Sequence, residues 1–309
     1  MIKIENLVKR YGELVALDHL NLEIEEGEIF GLLGPNGSGK TTAISCVLAL
    51  LKYDKGTIEV FGKPMAPDNY EAKKQIGVVL QNVAVFDEMN VRENIDYFCG
   101  LYVAEKEKRK VLVEEAISFV GLEDYTKMKP KQLSGGLLRR LNIACGIAHQ
   151  PKLIIMDEPT VAVDPQSRNK ILEGIMELNR KGATIIYTSH YMEEVEQICS
   201  RIAIIDHGRC IAQGTKEELK SMIKTGEKIT IEGVLLDGEN LTDIRNLPHV
   251  FEEDYEQQLL TVRCSGAKHN LVRILNYLQD KDIAFGRVFS ELPTLNDVFL
   301  EITGKELRD

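Results

Sequence analysis

The opening residues alternate short apolar and polar stretches and break at Gly12 and Gly27, which predicts successive strands joined by tight turns: an antiparallel β layer. From Phe30 the alternation gives way to the continuous apolar run IFGLL, a glycine-rich loop, and then TTAISCVLALL, whose apolar positions have helical spacing. Between about residues 87 and 150 the pattern is mainly helical, with Val113, Ile117 and Val120 of KEKRKVLVEEAISFVGL on one face and charges opposite. Two further apolar runs, LIIM at 153–156 and TIIYTS at 184–189, have the character of buried parallel strands. They are joined through QSRNKILEGIMELNRKG, an amphipathic helix that stops at Gly182, so the unit is a βαβ crossover.

After about Leu219 the chain turns polar in KSMIKTGEKITIEG, and Gly226 marks a linker. Beyond it the pattern gives strand KITIEGV, helix LTDIRN, strands HVFEEDY and QLLTVRC, helix KHNLVRILNYLQ, strand IAFGRVFSE and a final helix from Thr294. That βαββαβ order predicts a ferredoxin-like unit. The expected protein is α/β with two domains. Residues 1–220 form the larger one, with a helical subdomain at about 87–150, and 226–309 form a small α+β domain.

A length of 309 residues suits one large and one small domain. The 38 Lys and Arg against 48 Asp and Glu leave a formal charge of −10, so no nucleic-acid partner is expected. Six cysteines without a CxxC pair, several in apolar segments, are expected to be buried thiols in a reducing cytosol. No apolar run approaches the roughly 20 residues needed to cross a bilayer, and MIKIENLVKRYGE lacks the apolar core of a signal peptide. A role at a membrane would therefore require a partner.

The strongest chemical signal is GPNGSGKTT, between the strand IFGLL and a helix. Gly34, Gly37 and Gly39 let the backbone of Gly34, Pro35, Asn36, Gly37, Ser38 and Gly39 curl with its N–H groups inward, at the positive end of the helix that follows. Lys40 is placed to reach β and γ phosphates, Thr41 to offer its hydroxyl to Mg²⁺, and Thr42 to bond the α phosphate. Downstream, LIIMDEP ends an apolar strand with adjacent carboxylates where open α/β sheets hold ligands. Asp157 would hold Mg²⁺ through water, and Glu158 would polarise the water that attacks the γ phosphate.

With LSGG at 133–136 between these motifs, the chain resembles the ATP-binding cassette family, the ATPase subunits of ABC transporters, over about residues 1–220. The resemblance implies further roles. Tyr11 would stack on adenine, Gln81 would touch Mg²⁺ and sense the membrane subunit, and His190 would bond the γ phosphate. Asp164 of VAVDP matches the aspartate that contacts the second subunit, although Val161, Ala162 and Val163 stand where small residues and Leu are usual. Such cassettes work as head-to-tail dimers, each ATP lying between one chain's P-loop and the other's Ser134, Gly135 and Gly136. The expected partners are thus a second ATP-binding subunit, identical or not, and an integral-membrane transporter subunit. The expected location is the inner face of the cell membrane, through that partner. The closing PTLNDVFLEITGKELRD further resembles ATPases of the bacterial drug, antibiotic and sodium export branch, and Leu295, Val298, Phe299 and Ile302 in it would pack on a core.

One position departs from the family: Leu137 follows LSGG where glutamine is usual. If Ser134 caps the helix, Gly135, Gly136 and Leu137 are its first three residues, and the groups facing a γ phosphate need no side chain at 137. A glutamine there could cap the serine N–H, a contribution of about 1 kcal/mol or less, so an active site is expected. Three alternatives compete with an exporter ATPase. A soluble cassette acting on ribosomes or DNA would more usually carry two cassettes or a long coiled coil. A P-loop kinase or GTPase does not need LSGG, and no NKxD element is present. An importer ATPase is a rival within the family.

Overall fold

The computed structural model describes residues 1–161, 163–266 and 268–304 and divides into two compact units, Met1–Thr215 and a second beginning at Lys216. Ala162 of the VAVDP stretch and residues 305–309 of the closing segment lie outside the described residues.

In the first unit the expected antiparallel layer is a four-stranded sheet in the order Leu14–Ile24, Ile2–Tyr11, Lys55–Val60, Lys63–Pro64. The second sheet has six strands, in the order Arg209–Thr215, Arg201–Asp206, Ile29–Leu33, Thr184–Thr188, Leu153–Asp157, Ile76–Val79. The first of these pairs antiparallel and the other five run parallel. Ile29–Leu33, Leu153–Asp157 and Thr184–Thr188 are buried along their whole length, which is why their sequences are runs and not alternations. The crossover helix is Pro165–Arg180, capped at its start by Asp164. Side chains such as Leu17, Phe30, Ile44, Ile155 and Ile186 form one core with residues of both sheets and the helix Lys40–Val47. This core sets the carboxyl ends of the central strands in one rigid rim.

The helical segment contains Val91–Gly100, Lys106–Val120 and Gly135–Ile147. Val113, Ile117 and Val120 are buried, as their spacing predicts, and Gly121 ends their helix in the left-handed conformation at φ 64°.

The second unit has the element order βαββαβ and a closing helix. Its strands Glu227–Glu232, Val250–Glu256, Leu259–Cys264 and Val288–Glu291 form an antiparallel sheet in the order second, third, first, fourth. Its own core holds Ile229, Ile231, Ile244, Leu260, Val262, Ile274 and Leu278. The structure departs from the pattern reading at three places. The helix predicted as LTDIRN starts earlier, at Gly238, because the Asp237 side chain accepts the Asn240 N–H at 2.8 Å and caps it. The last strand begins only at Val288, opposite Ile231, since the neighbouring strand ends before Gly233 turns at φ 65°. The unit itself begins before the polar stretch: in the helix Lys216–Ser221, Leu219 is fully buried and the helix packs on the closing helix Leu295–Thr303. The Glu301 carboxylate also accepts the Lys224 N–H at 2.6 Å and the Thr225 hydroxyl at 3.1 Å. Leu295, Val298 and Phe299 are buried, and Ile302 is half-buried.

Because each unit encloses its own core, a chain ending at Thr215 is expected to fold and hydrolyse ATP. One ending near residue 226 leaves Leu219 without its cover and is expected to aggregate more. Thermal melts and ATPase assays of the two fragments check this, and a 1–215 fragment with no cooperative melt contradicts it.

Candidate active site

Residues Gly34–Gly39 form the turn between the strand Ile29–Leu33 and the helix Lys40–Val47, which opens with Lys40, Thr41 and Thr42. Gly39, the residue before the helix, has φ 109°, and a Cβ there would stand 2.7 Å from the Ala16 carbonyl oxygen, so both conformation and space require glycine. The turn leaves helix N–H groups facing outward with no side-chain cap. Lys40 is buried and its Nζ donates to the carbonyls of Gly34 at 2.7 Å and Pro35 at 3.2 Å. Burial lowers its pKa, opposed by the nearby Glu158 and Asp157 carboxylates. The Ser38 hydroxyl is buried in the same turn without a hydrogen-bond partner, as fits a cradle for an anion.

A cavity of about 620 Å³ opens on this turn. Tyr11, Asn36, Gly37, Ser38, Gly39, Lys40, Thr41, Thr42, Gln81, Glu158 and His190 all line it, together with Val15, Val161 and Tyr191. Residues from five separate stretches of sequence thus meet at one rim. Tyr11 is 49% exposed and Lys9 Nζ lies 5.1 Å from its ring centre, so its ring is open to a planar ligand and is not core packing. Gly34, Pro35 and Asp157 are not among the residues that line the cavity. Asp157 is buried and its Oδ1 accepts the Thr188 hydroxyl at 2.7 Å.

Glu158 follows the strand end in a left-handed conformation, φ 48°, which costs on the order of 1 kcal/mol for a residue with a Cβ. Its N–H is held by the Thr188 side chain at 2.9 Å and by the Thr188 carbonyl at 3.2 Å. Its Oε2 accepts from Gln81 Nε2 at 3.0 Å and lies 3.6 Å from His190 Nδ1. Gln81 and His190 therefore converge on one carboxylate oxygen of Glu158, and all three residues line the cavity.

Ser134, Gly135 and Gly136 do not line this cavity. Ser134 is exposed and caps the helix Gly135–Ile147, its Oγ accepting the Leu137 N–H at 3.3 Å, so Leu137 takes part through its backbone alone. A Cβ at Gly136 would stand 3.3 Å from Asp164 Oδ2, which puts the LSGG turn beside the loop that Asp164 ends. Asp164 Oδ1 accepts the Ser167 N–H at 2.9 Å, and that hydrogen bond lowers its pKa.

The sequence reading missed three supporting groups. Thr188 bonds both carboxylate residues, and the register Asp157↔Thr188 between adjacent strands could have pointed to it. Buried Glu194 accepts hydroxyl protons from Thr160 at 2.8 Å, Tyr187 at 2.6 Å and Ser189 at 2.9 Å, and pairs with Arg168 at 3.3 Å, tying the loop after Glu158 to the loop that bears His190. Arg139, a buried cation on the LSGG helix, is the third.

Fold and site together define a P-loop ATPase of the cassette type, and the comparisons with known proteins agree. The ABC transporter family matches residues 17–161, and the C-terminal domain of DrrA1-3-like ATP-binding proteins matches 214–303. The linearmycin resistance ATP-binding protein LnrL of Bacillus subtilis is 40% identical over the whole of both chains. The daunorubicin resistance ATP-binding protein DrrA3 of Streptomyces coeruleorubidus is 33% identical over 99% of this chain and 97% of its own. The Nod factor export ATP-binding protein I of Sinorhizobium fredii is 36% identical over 100% and 87%. Among solved structures, the dimeric post-hydrolysis state of the cassette MJ0796 with ADP and Pi superposes with a TM-score of 0.64 at 29% identity, over 70% of this chain and 98% of that one. The chain belongs to the ATP-binding proteins of ABC transporters and is an ATPase subunit. No helix among the described residues is long and apolar enough to cross a membrane.

Proposed function

We propose that this chain powers an exporter for an amphiphilic or drug-like compound by closing on ATP as a head-to-tail dimer of two copies. The observation that carries the reading is the separation of Ser134, Gly135 and Gly136 from the P-loop cavity of the same chain. Each chain has both halves of an ATP site, held apart, so a second copy completes two sites. The named relatives, resistance and export ATP-binding proteins, support export over import and over ribosome or DNA work.

In this reading Tyr11 stacks on the adenine and the turn Gly34–Gly39 wraps the phosphates. Lys40 pairs with the β and γ phosphates, and the partner's Ser134 hydroxyl and glycine N–H groups close over the γ phosphate. Thr41, Asp157 and Gln81 offer the hard oxygen donors, hydroxyl, carboxylate and amide, that fit Mg²⁺. The ion, when bound with ATP, neutralises charge that builds on the phosphate oxygens. Glu158 accepts the proton of the attacking water, His190 orients the γ phosphate, and the bond from Gln81 holds the Glu158 carboxylate in place.

The chain would sit on the inner face of the cell membrane through an integral-membrane subunit. An exposed apolar patch next to Gln81 supports such docking: Leu80, Val83, Phe86, Tyr97 and Leu101 are all exposed, and the Phe86 and Tyr97 rings pack edge to face at 4.9 Å. Affinity purification from detergent-solubilised membranes tests the whole reading. A multi-span protein is expected to co-purify, and to be lost when Phe86 and Leu101 are both changed to Asp. Recovery of ribosomal or DNA-repair proteins in its place would contradict the transport role.

A further inference from the structure

The LSGG helix carries more than its exposed cap. On its inner face Arg139 is 4% exposed and spends every guanidinium nitrogen on backbone carbonyls of two loops remote in sequence. Its Nη1 donates to Leu80 at 2.9 Å and Gln81 at 2.7 Å. Its Nε donates to Pro159 at 2.8 Å, and its Nη2 to Asp157 at 3.1 Å and to Glu158. Among these acceptors are the carbonyls of the two residues whose side chains meet at 3.0 Å in the cavity, Gln81 and Glu158. One turn further along, buried Asn142 donates to the Leu80 carbonyl at 3.2 Å and accepts the Ala84 N–H at 3.1 Å, so the same helix face grips the Gln81 segment twice.

We propose that Arg139 is a positioning residue for hydrolysis, a planar bracket that sets Gln81 against Glu158 and links their placement to the helix capped by Ser134. The proposal rests on the roles given above to Gln81, Glu158 and Ser134. The backbone at Glu158 has φ 48°, a conformation that persists only where its surroundings determine it. Thr188 holds the N–H side of this residue and Arg139 holds the carbonyl side. Because the bracket is part of the LSGG helix, a shift of that helix when its cap meets ATP in one site moves the Gln81 and Glu158 backbones of the other site on the same chain. This gives the two sites of a dimer a mechanical connection inside each chain. It needs the flat five-donor fork of arginine, which lysine, with one ammonium on a flexible stem, cannot reproduce across both loops.

The test is steady-state ATP hydrolysis by the full chain bearing Arg139→Lys or Arg139→Gln, with affinity for a fluorescent ATP analogue measured alongside. We expect kcat to fall by at least about tenfold while KM and analogue affinity stay within about threefold, because Arg139 touches no part of the nucleotide cradle. In the Glu158→Gln background Arg139→Lys is expected to lower the residual rate no further, since the group it positions is already disabled. Three results would each overturn the proposal: kcat within about twofold of wild type, affinity falling in step with kcat, or additive losses in the double variant. Failure of both variants to give a cooperative melt would also overturn it, by making Arg139 a brace for folding alone. A wild-type chain without hydrolysis would instead contradict the roles on which the inference rests, which keeps the two failures distinct.

Discussion

Glu158→Gln is expected to keep ATP binding and lower turnover by about 10²- to 10⁴-fold, the range for loss of a general base. The substitution keeps size and shape, and the remaining amide oxygen can still accept from Gln81 Nε2, now at 3.0 Å from a Glu158 oxygen. What it removes is the oxygen able to take a proton from water. The groups proposed to hold nucleotide, from Asn36 to Thr42, lie on a separate turn and the start of its helix and are untouched. Binding without turnover should accumulate the closed dimer, so gel filtration with ATP and Mg²⁺ is expected to shift from monomer to dimer volume. A variant that stays monomeric under those conditions contradicts the two-copy site.

Ser134→Arg is expected to abolish hydrolysis almost completely, whereas Leu137→Gln is expected to change the rate by less than about tenfold, equivalent to about 1.4 kcal/mol. Ser134 caps the helix from outside and is exposed, so an arginine is accommodated by the folded monomer and meets its obstacle only where a partner's phosphate would sit. Leu137 contributes its N–H to the cap at 3.3 Å, a group that glutamine supplies equally. Its departure from the usual glutamine therefore touches a capping contribution and none of the groups facing phosphate. ATPase assays of the purified variants check both. A silent wild type restored by Leu137→Gln would instead mark the chain as the degenerate half of an unequal pair.

Much of the site could be read before the structure because its parts are local. The turn at Gly34–Gly39 needs glycine at fixed positions, and Asp157 and Glu158 end an apolar run, so spacing alone locates both. The βαβ crossover followed from two apolar runs and one amphipathic helix. What stayed hidden depends on pairing across the chain. Thr188 matters because register sets it opposite Asp157, and Arg139 because a cation that appears solvent-bound in sequence turns inward to meet carbonyls of two loops. Glu194 is similar, a carboxylate in a helix that reads as polar but is buried under three hydroxyls. The start of the second unit was misplaced because a polar stretch resembles a linker, while a single apolar residue, Leu219, decides where the helix Lys216–Ser221 packs.

The central claim is that each ATP site takes its P-loop from one copy and its Ser134 from the other, and mixing two disabled variants tests it directly. Lys40→Ala removes the cation proposed to pair with phosphate and Ser134→Arg is expected to block the opposite half, so each variant alone is expected to show no hydrolysis. In a mixed head-to-tail pair both lesions fall in one site and the other site is intact. Activity is therefore expected to return on mixing, to roughly a quarter of the wild-type rate if half the pairs are mixed and each has one working site. A mixture as inactive as its two components would contradict the shared site.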